Sequence, residues 1–471
     1  MNTLAYKLKG FAIRYAIPAV LVVVSLLLLA SPFPYLAPLP ALGLLTLLWL
    51  GNRALFPYLF YGIVALIPFG AYRGLSGQYG FVRVHWIFAI ALAVVVGTNI
   101  FLRKKIPAEV RQGKFWACVA LFYLINVFAT MGSKFPAVSA KFMIILAAGY
   151  LLVALGMIVV DRKGFSETLP KVIVGSVFIS SALALLGSVF NLSLFVSSES
   201  GRVIGAAPDP NNMSLMIIFS LPLAAYFLLT ARRPLARLAW MLIIGVDVAA
   251  IVATFSRGGA VILFLSLVLM LWEFRQLIAP RNLGLLFGLG GLAVAIFLIL
   301  TPESYMQRVK SLRAADDFSL RRRTSYLVVA RDLVAQRPFL GSGPDTFAPR
   351  YARTETGRAF KRKNSSGERK AHNTYIEVLV GSGVIGLAAF LILLLYALKS
   401  FSRAKQLFLA GGDARLALLT TAYRTSFLTL LVYLLLYSEV NHKYLLVALA
   451  VSQIALYLAG KSAAKSRQEH A

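Results

Sequence analysis

The sequence predicts an all-α fold: a polytopic transmembrane helical bundle of twelve to fourteen helices, with one large loop outside the cytoplasm that contains short helices. Three observations predict it. The chain of 471 residues is 59% hydrophobic and 14% charged, more apolar surface than a water-soluble core needs. Its apolar residues fall in repeated runs of about 17 to 25, the length that crosses a bilayer as a helix. Its basic residues gather in alternate loops, the asymmetry that orients membrane helices.

Hydropathy marks spans at 15–30, 36–50, 54–72, 85–102, 115–131, 142–160, 172–196, 213–230, 238–255, 259–274, 283–300, 375–398, 425–437 and 444–460. Backbone in lipid must satisfy its own hydrogen bonds, so each span is expected to be helical. The first run follows Lys7, Lys9 and Arg14, as in a signal peptide, but no small-residue cleavage site follows and the next span comes at once. It is read as a retained helix. Cys118 is the single cysteine, which excludes an internal disulfide and a thiolate metal cluster.

The formal net charge is +30. With the N-terminus inside, twenty-five Lys and Arg fall on the cytoplasmic side and seven on short outer loops. The other sixteen lie in the loop 301–373, with seven acids, leaving about +9. Long loops escape the orienting bias, so this loop fits outside. A basic surface there attracts phospholipid, lipid diphosphate or phosphorylated lipopolysaccharide core, and nucleic acid is excluded as a partner on that face. The chain thus divides into a helical region 1–300 with short Arg-bearing outer loops, the basic loop 301–373, and C-terminal helices with a cytoplasmic tail, 374–471.

Within the loop, Ser319 to Val334 reads as an amphipathic helix with Tyr326, Val329, Ala330 and Leu333 on one face, closed by Pro338. Gly341-Ser342-Gly343-Pro344-Asp345 is turn chemistry, and Phe347 and Tyr351 are placed to pack back. Thr354 to Lys370 is polar and basic and is expected to be mobile cover.

The candidate chemistry sits at outer helix ends. His372-Asn373 joins the loop to an apolar helix. The imidazole there is either a polar group at a helix start or a general base. Asp209-Pro210 is an N-cap followed by a first-turn proline, and Arg202 precedes it on a loop sparse in positive charge. Arg257 stands in the tip Ser256-Arg257-Gly258-Gly259, where it either snorkels to headgroups or offers a fork of donors to phosphate. Together Arg202 and Arg257 could clamp a diphosphate. Gly381-Ser382-Gly383-Val384-Ile385-Gly386 fits GxGxxG, but it lies in a membrane helix with no strand before it. Close helix packing is the expectation there. Glu377, one turn past Asn373, is placed to orient the His372 region or to pair with an arginine, and Asp247 to be a buried cap partner or part of a polar path, whereas His85 and His442 receive no role. No HExxH, CxxC or DxD pattern points to a metal site.

Set in order, these motifs resemble the O-antigen ligase and polymerase superfamily. The resemblance rests on R-x6-DPN from Arg202, SRGG around Arg257, Arg322 four before Tyr326, P-x2-G-x-G-x3-F from Pro338, and H-N-x-Y-x-E from His372, followed by GxGxxG. It covers roughly residues 195–390. The chain departs from the family in having extra hydropathy peaks and a very basic stretch from Arg350 to Lys370.

The resemblance implies an inverting glycosyltransferase at the periplasmic face of the bacterial inner membrane, with no metal, nucleotide or other cofactor. It implies O-antigen on undecaprenyl diphosphate as donor and lipid A-core as acceptor, with membrane lipids around it. By the same resemblance His372 is the base or acceptor-orienting group, Asn373 stands beside it in substrate binding, and Arg202 and Arg257 hold the diphosphate. Arg322 matches a family arginine of less defined role. An O-antigen or polysaccharide polymerase using the same donor is the alternative. A lipid-linked glycan transporter is the second, although charges lining a path through the spans would mark it and here the basic residues cluster at helix ends.

Overall fold

The computed structural model describes residues 56–69, 89–90, 92–93, 96–97, 107–190, 195, 203–207, 209–254, 256–275, 318–360 and 367–469. Among them there is no strand, and eight helices are long and apolar enough to cross a membrane. In chain order the helices are α1 Phe56–Ala65, α2 Gly113–Met131, α3 Pro136–Val159, α4 Leu169–Val189, α5 Pro210–Thr230, α6 Pro234–Ala253 and α7 Arg257–Phe274. There follow α8 Phe318–Gln336, α9 Phe347–Tyr351, α10 Glu355–Ala359, α11 Thr374–Ala410, α12 Ala414–Tyr433 and α13 Lys443–Glu469. The expected spans 15–30, 36–50 and 283–300 lie outside the described residues, as does most of 85–102.

Helix α5 is the axis of the bundle. From Asn212 to Leu228 every side chain is buried, against α4, α6, α7 and α12. Aromatic pairs lock its length: Phe219 stacks on Tyr444 of α13 at 4.7 Å and Phe227 on Trp240 of α6 at 4.6 Å. Outward-facing Phe128, Ile144, Leu242, Phe264 and Leu395 are exposed, as an apolar solvent requires.

The two ends of the bundle separate chemically. At one end Arg162 pairs with Asp413, and Tyr457 donates to Glu109 at 3.1 Å. At the other, hydrogen bonds gather 132–139, 209–212, 256, 371–374 and 434–442. The charge pattern assigns these two sets of loops to opposite faces, and the contacts sort them the same way.

Three expectations change. Hydropathy placed a span at 425–437, but helix α12 runs Ala414–Tyr433 and residues 434–442 form a loop. Arg415, Thr420, Thr421 and Arg424 lowered the hydropathy of the true helix; Arg424 is accommodated by Glu273 at 2.8 Å. Second, the start of the stretch expected to be mobile holds helix α10, capped by the Thr354 hydroxyl on Gly357 N–H at 2.9 Å, whereas 361–366 lie outside the described residues. Third, the glycines of 381–386 do not serve helix packing alone. Gly383 has φ 66° and breaks α11 into two helices. A turn-containing strap, 338–343, lies across the break: Pro338 O accepts from Val384 N–H at 2.8 Å and Gly381 O from Gly343 N–H at 2.8 Å. A Cβ at Gly383 would collide with the Phe339 carbonyl, so only glycine permits this approach.

The loop has a small core of its own. Tyr326, Val329, Ala330 and Leu333 of α8 turn inward on Phe347, Tyr351, Ala371 and Val380, the face the periodicity predicts.

Candidate active site

His372 stands at φ 51°, a backbone region uncommon outside glycine, in which asparagine, aspartate and histidine are the side chains most often found. Its neighbours hold it there. Ala371 N–H donates to Glu377 Oε1 at 2.7 Å, Asn373 N–H to Ser438 Oγ at 2.9 Å, and Thr374 N–H to Leu434 O at 2.8 Å. Asn373 caps α11 by accepting from Ile376 N–H at 3.1 Å. The imidazole lies on the buried Tyr326 ring at 5.8 Å between centroids. Burial, then the charges of Arg323, Arg322, Arg369 and Lys370, lowers its pKa from 6.5 to about 4. At neutral pH it is an uncharged ring beside a group of guanidiniums, able to accept a proton.

The other two motifs meet at the same end. Asp209 caps α5, accepting from Asn211 N–H at 2.8 Å and Asn212 N–H at 3.1 Å. Ser256 caps α7 through Gly259 N–H at 3.0 Å and donates to Asn211 Oδ1 at 2.9 Å. That bond ties the helix start bearing Arg257 to the DPN helix start.

The loop 434–442 joins this pair to the His372 turn. Tyr437 donates to Asp209 Oδ2 at 3.1 Å and accepts from Asn212 Nδ2 at 3.0 Å. The next residue, Ser438, receives Asn373 N–H, and Thr374 Oγ1 donates to Tyr437 O at 2.6 Å. Buried His442 completes the inner side, its Nε2 at 3.5 Å from Asn212 Nδ2, with burial lowering its pKa to about 3.

Residues 240–391 match a family model described as O-antigen ligase. This match supports an O-antigen ligase family assignment. The family segment takes in Arg257, Arg322, the strap 338–343, the His372-Asn373 turn and the break at Gly383, and ends before the loop 434–442. No curated protein matches the chain.

Of the residues singled out from sequence, the structure brings the His372-Asn373 turn and the helix carrying Arg322 together, and links the start of α7 to them through one loop. Arg257 is the first residue of α7, and its side chain lies outside the described residues, as does Arg202. Sequence reasoning missed Tyr437, Ser438 and Arg323, and left His442 without a role. The signal was the polar run Tyr437-Ser438-Glu439, hidden behind Leu434-Leu435-Leu436.

Proposed function

We propose that the chain transfers O-antigen polysaccharide from undecaprenyl diphosphate to lipid A-core at the periplasmic face of the inner membrane, inverting the anomeric centre and using neither metal nor nucleotide. The acceptor hydroxyl oxygen attacks the anomeric carbon as the bond from that carbon to the diphosphate oxygen breaks. The hydroxyl proton passes to His372, and undecaprenyl diphosphate leaves with the bonding electrons. One displacement gives inversion.

The observation that carries this reading is the uncharged imidazole held in a strained turn beside Arg322, Arg323 and Arg369. A neutral His contributes roughly a hundred- to ten-thousand-fold as general base. Guanidinium donors stabilise the leaving charge, each good donor being worth on the order of 3 kcal/mol by analogy with oxyanion holes. Arg202 and Arg257 are assigned to the diphosphate, and Asn373 to holding the His372 turn against substrate.

The test is transfer by the purified protein from lipid-linked donor to lipid A-core in the presence of a chelator. Transfer supports the reading. Extension of the donor glycan in place of the core would make the protein a polymerase.

A further inference from the structure

A cavity of about 310 Å³ lies between the starts of α3 and α11, the turn after the strap, and the loop 434–442. That is the lower end of the roughly 300–1,000 Å³ typical of ligand pockets. Lys370, two residues before His372, lines it. So does Asp345, which with His372 makes up the non-glycine residues at positive φ among those described; its φ is 59°. Strain of this kind, costing about 1–3 kcal/mol, gathers at functional sites.

The cavity differs in charge from the loop that covers it. Three carboxyl groups, on Asp345, Glu377 and Glu439, face two ammoniums, on Lys141 and Lys370. Asp345 and Lys370 lie 3.8 Å apart, and Glu377 accepts the Ala371 N–H. The two ammoniums are matched by carboxyls, which leaves no surplus of cations to hold a diphosphate. Interleaved acceptors and donors, with the Asn126 amide, suit hydroxyl groups, which both give and take hydrogen bonds. The Phe122 ring supplies an apolar wall for the C–H face of a sugar ring.

We propose that this cavity is the subsite for the acceptor glycan and seats one uncharged, hexose-sized ring, with Asp345 and Glu439 accepting from its hydroxyls and Lys141 donating to its oxygens. The proposal rests on the transferase reading above. It places the acceptor against Lys370 and Glu377, which flank the His372 turn in the chain. The basic loop then draws in a phosphorylated acceptor, while the cavity reads its neutral sugar.

The test is calorimetric binding of dephosphorylated, lipid-free core oligosaccharide to the full chain in lipid nanodiscs, without donor. Asp345→Asn keeps a residue that tolerates positive φ, and Lys141→Gln alters the opposite wall. Saturable binding by the wild type, weakened at least tenfold in both variants, supports the subsite. Equal binding by wild type and Lys141→Gln overturns it even if Asp345→Asn fails to fold. Binding only of the phosphorylated oligosaccharide also overturns it. Transfer is assayed separately, so a wild type that binds the sugar without transferring sinks the function and leaves the subsite standing.

Discussion

Tyr437 gives its hydroxyl hydrogen to Asp209, 228 residues earlier in the chain, at 3.1 Å. The same hydroxyl accepts from Asn212, and the residue after Tyr437 holds the backbone of Asn373. One tyrosine therefore connects the cap of α5 to the turn that carries His372. Tyr437→Phe removes two hydrogen bonds at a mostly buried position, each worth about 0.5–1.5 kcal/mol. The expected outcome is a lower melting temperature in detergent and slower transfer, with Asp209 still capping α5. Wild-type melting and rate would show that the two motifs do not depend on this link.

Gly383 is the sharpest structural test. Its φ of 66° and the Phe339 carbonyl beside it leave no place for a side chain. Gly383→Ala is expected to cost at least the roughly 1–3 kcal/mol of a strained backbone residue, and to release the strap 338–343 from α11. Limited proteolysis within the strap reports the release. Gly175→Ala is the control. Nothing lies within 4 Å of its added Cβ in the middle of α4, and replacing a helical glycine by alanine gains about 0.8–1 kcal/mol.

How far the sequence could be read follows from the kind of signal each element carries. Helices α2 to α7 are continuous apolar runs, so they were legible, as was the cap Asp209-Pro210; the cap at Ser256 was not, because its two following glycines read as a turn and are instead in the first turn of α7. The inward face of α8 was legible, because its period is local. The break in α11 was not, because the hydrogen-bond partners of the backbone on either side of Gly383 come from the strap 338–343, outside the helix. The loop 434–442 was hidden for a related reason: Leu434 to Leu436 are apolar enough to continue a membrane helix, and what holds the loop instead is the bonding of Leu434 O to Thr374, of Tyr437 to Asp209 and Thr374, and of Ser438 to Asn373. The motifs at the site were each visible, but their meeting point was not, since no motif contains it.

Arg257 tests the diphosphate assignment. Arginine offers a planar fork, and lysine a single ammonium. Arg257→Ala is expected to reduce kcat/KM for the lipid-linked donor about 10²–10³-fold, the loss seen on removing one preorganised donor, and Arg257→Lys to recover little of it. Full activity in Arg257→Lys would rule out a bidentate clamp. Because Arg257 begins α7 and the cap is made by Ser256, neither substitution should melt the helix.

His372 sets the pH response. Asparagine at 372 tolerates the positive φ but has no imidazole, so His372→Asn should stay folded and lose roughly 10²–10⁴ in rate. In the wild type the imidazole is held near pKa 4, against 6.5 when unfolded. Between about pH 6.5 and about 4 the unfolded chain binds this proton and the folded chain does not. Stability from this group is therefore complete above about 6.5, falls as the pH drops through that window, and falls no further below about 4. His442 adds a loss of the same sign that extends to about pH 3. The melting temperature of His372→Asn should accordingly fall less than that of the wild type between pH 6.5 and 4.5. The rate of the wild type should keep its plateau down to about pH 5, where an unshifted histidine would already be mostly protonated. A rate that halves near pH 6.5 would mean that the group taking the proton is not the buried imidazole at 372.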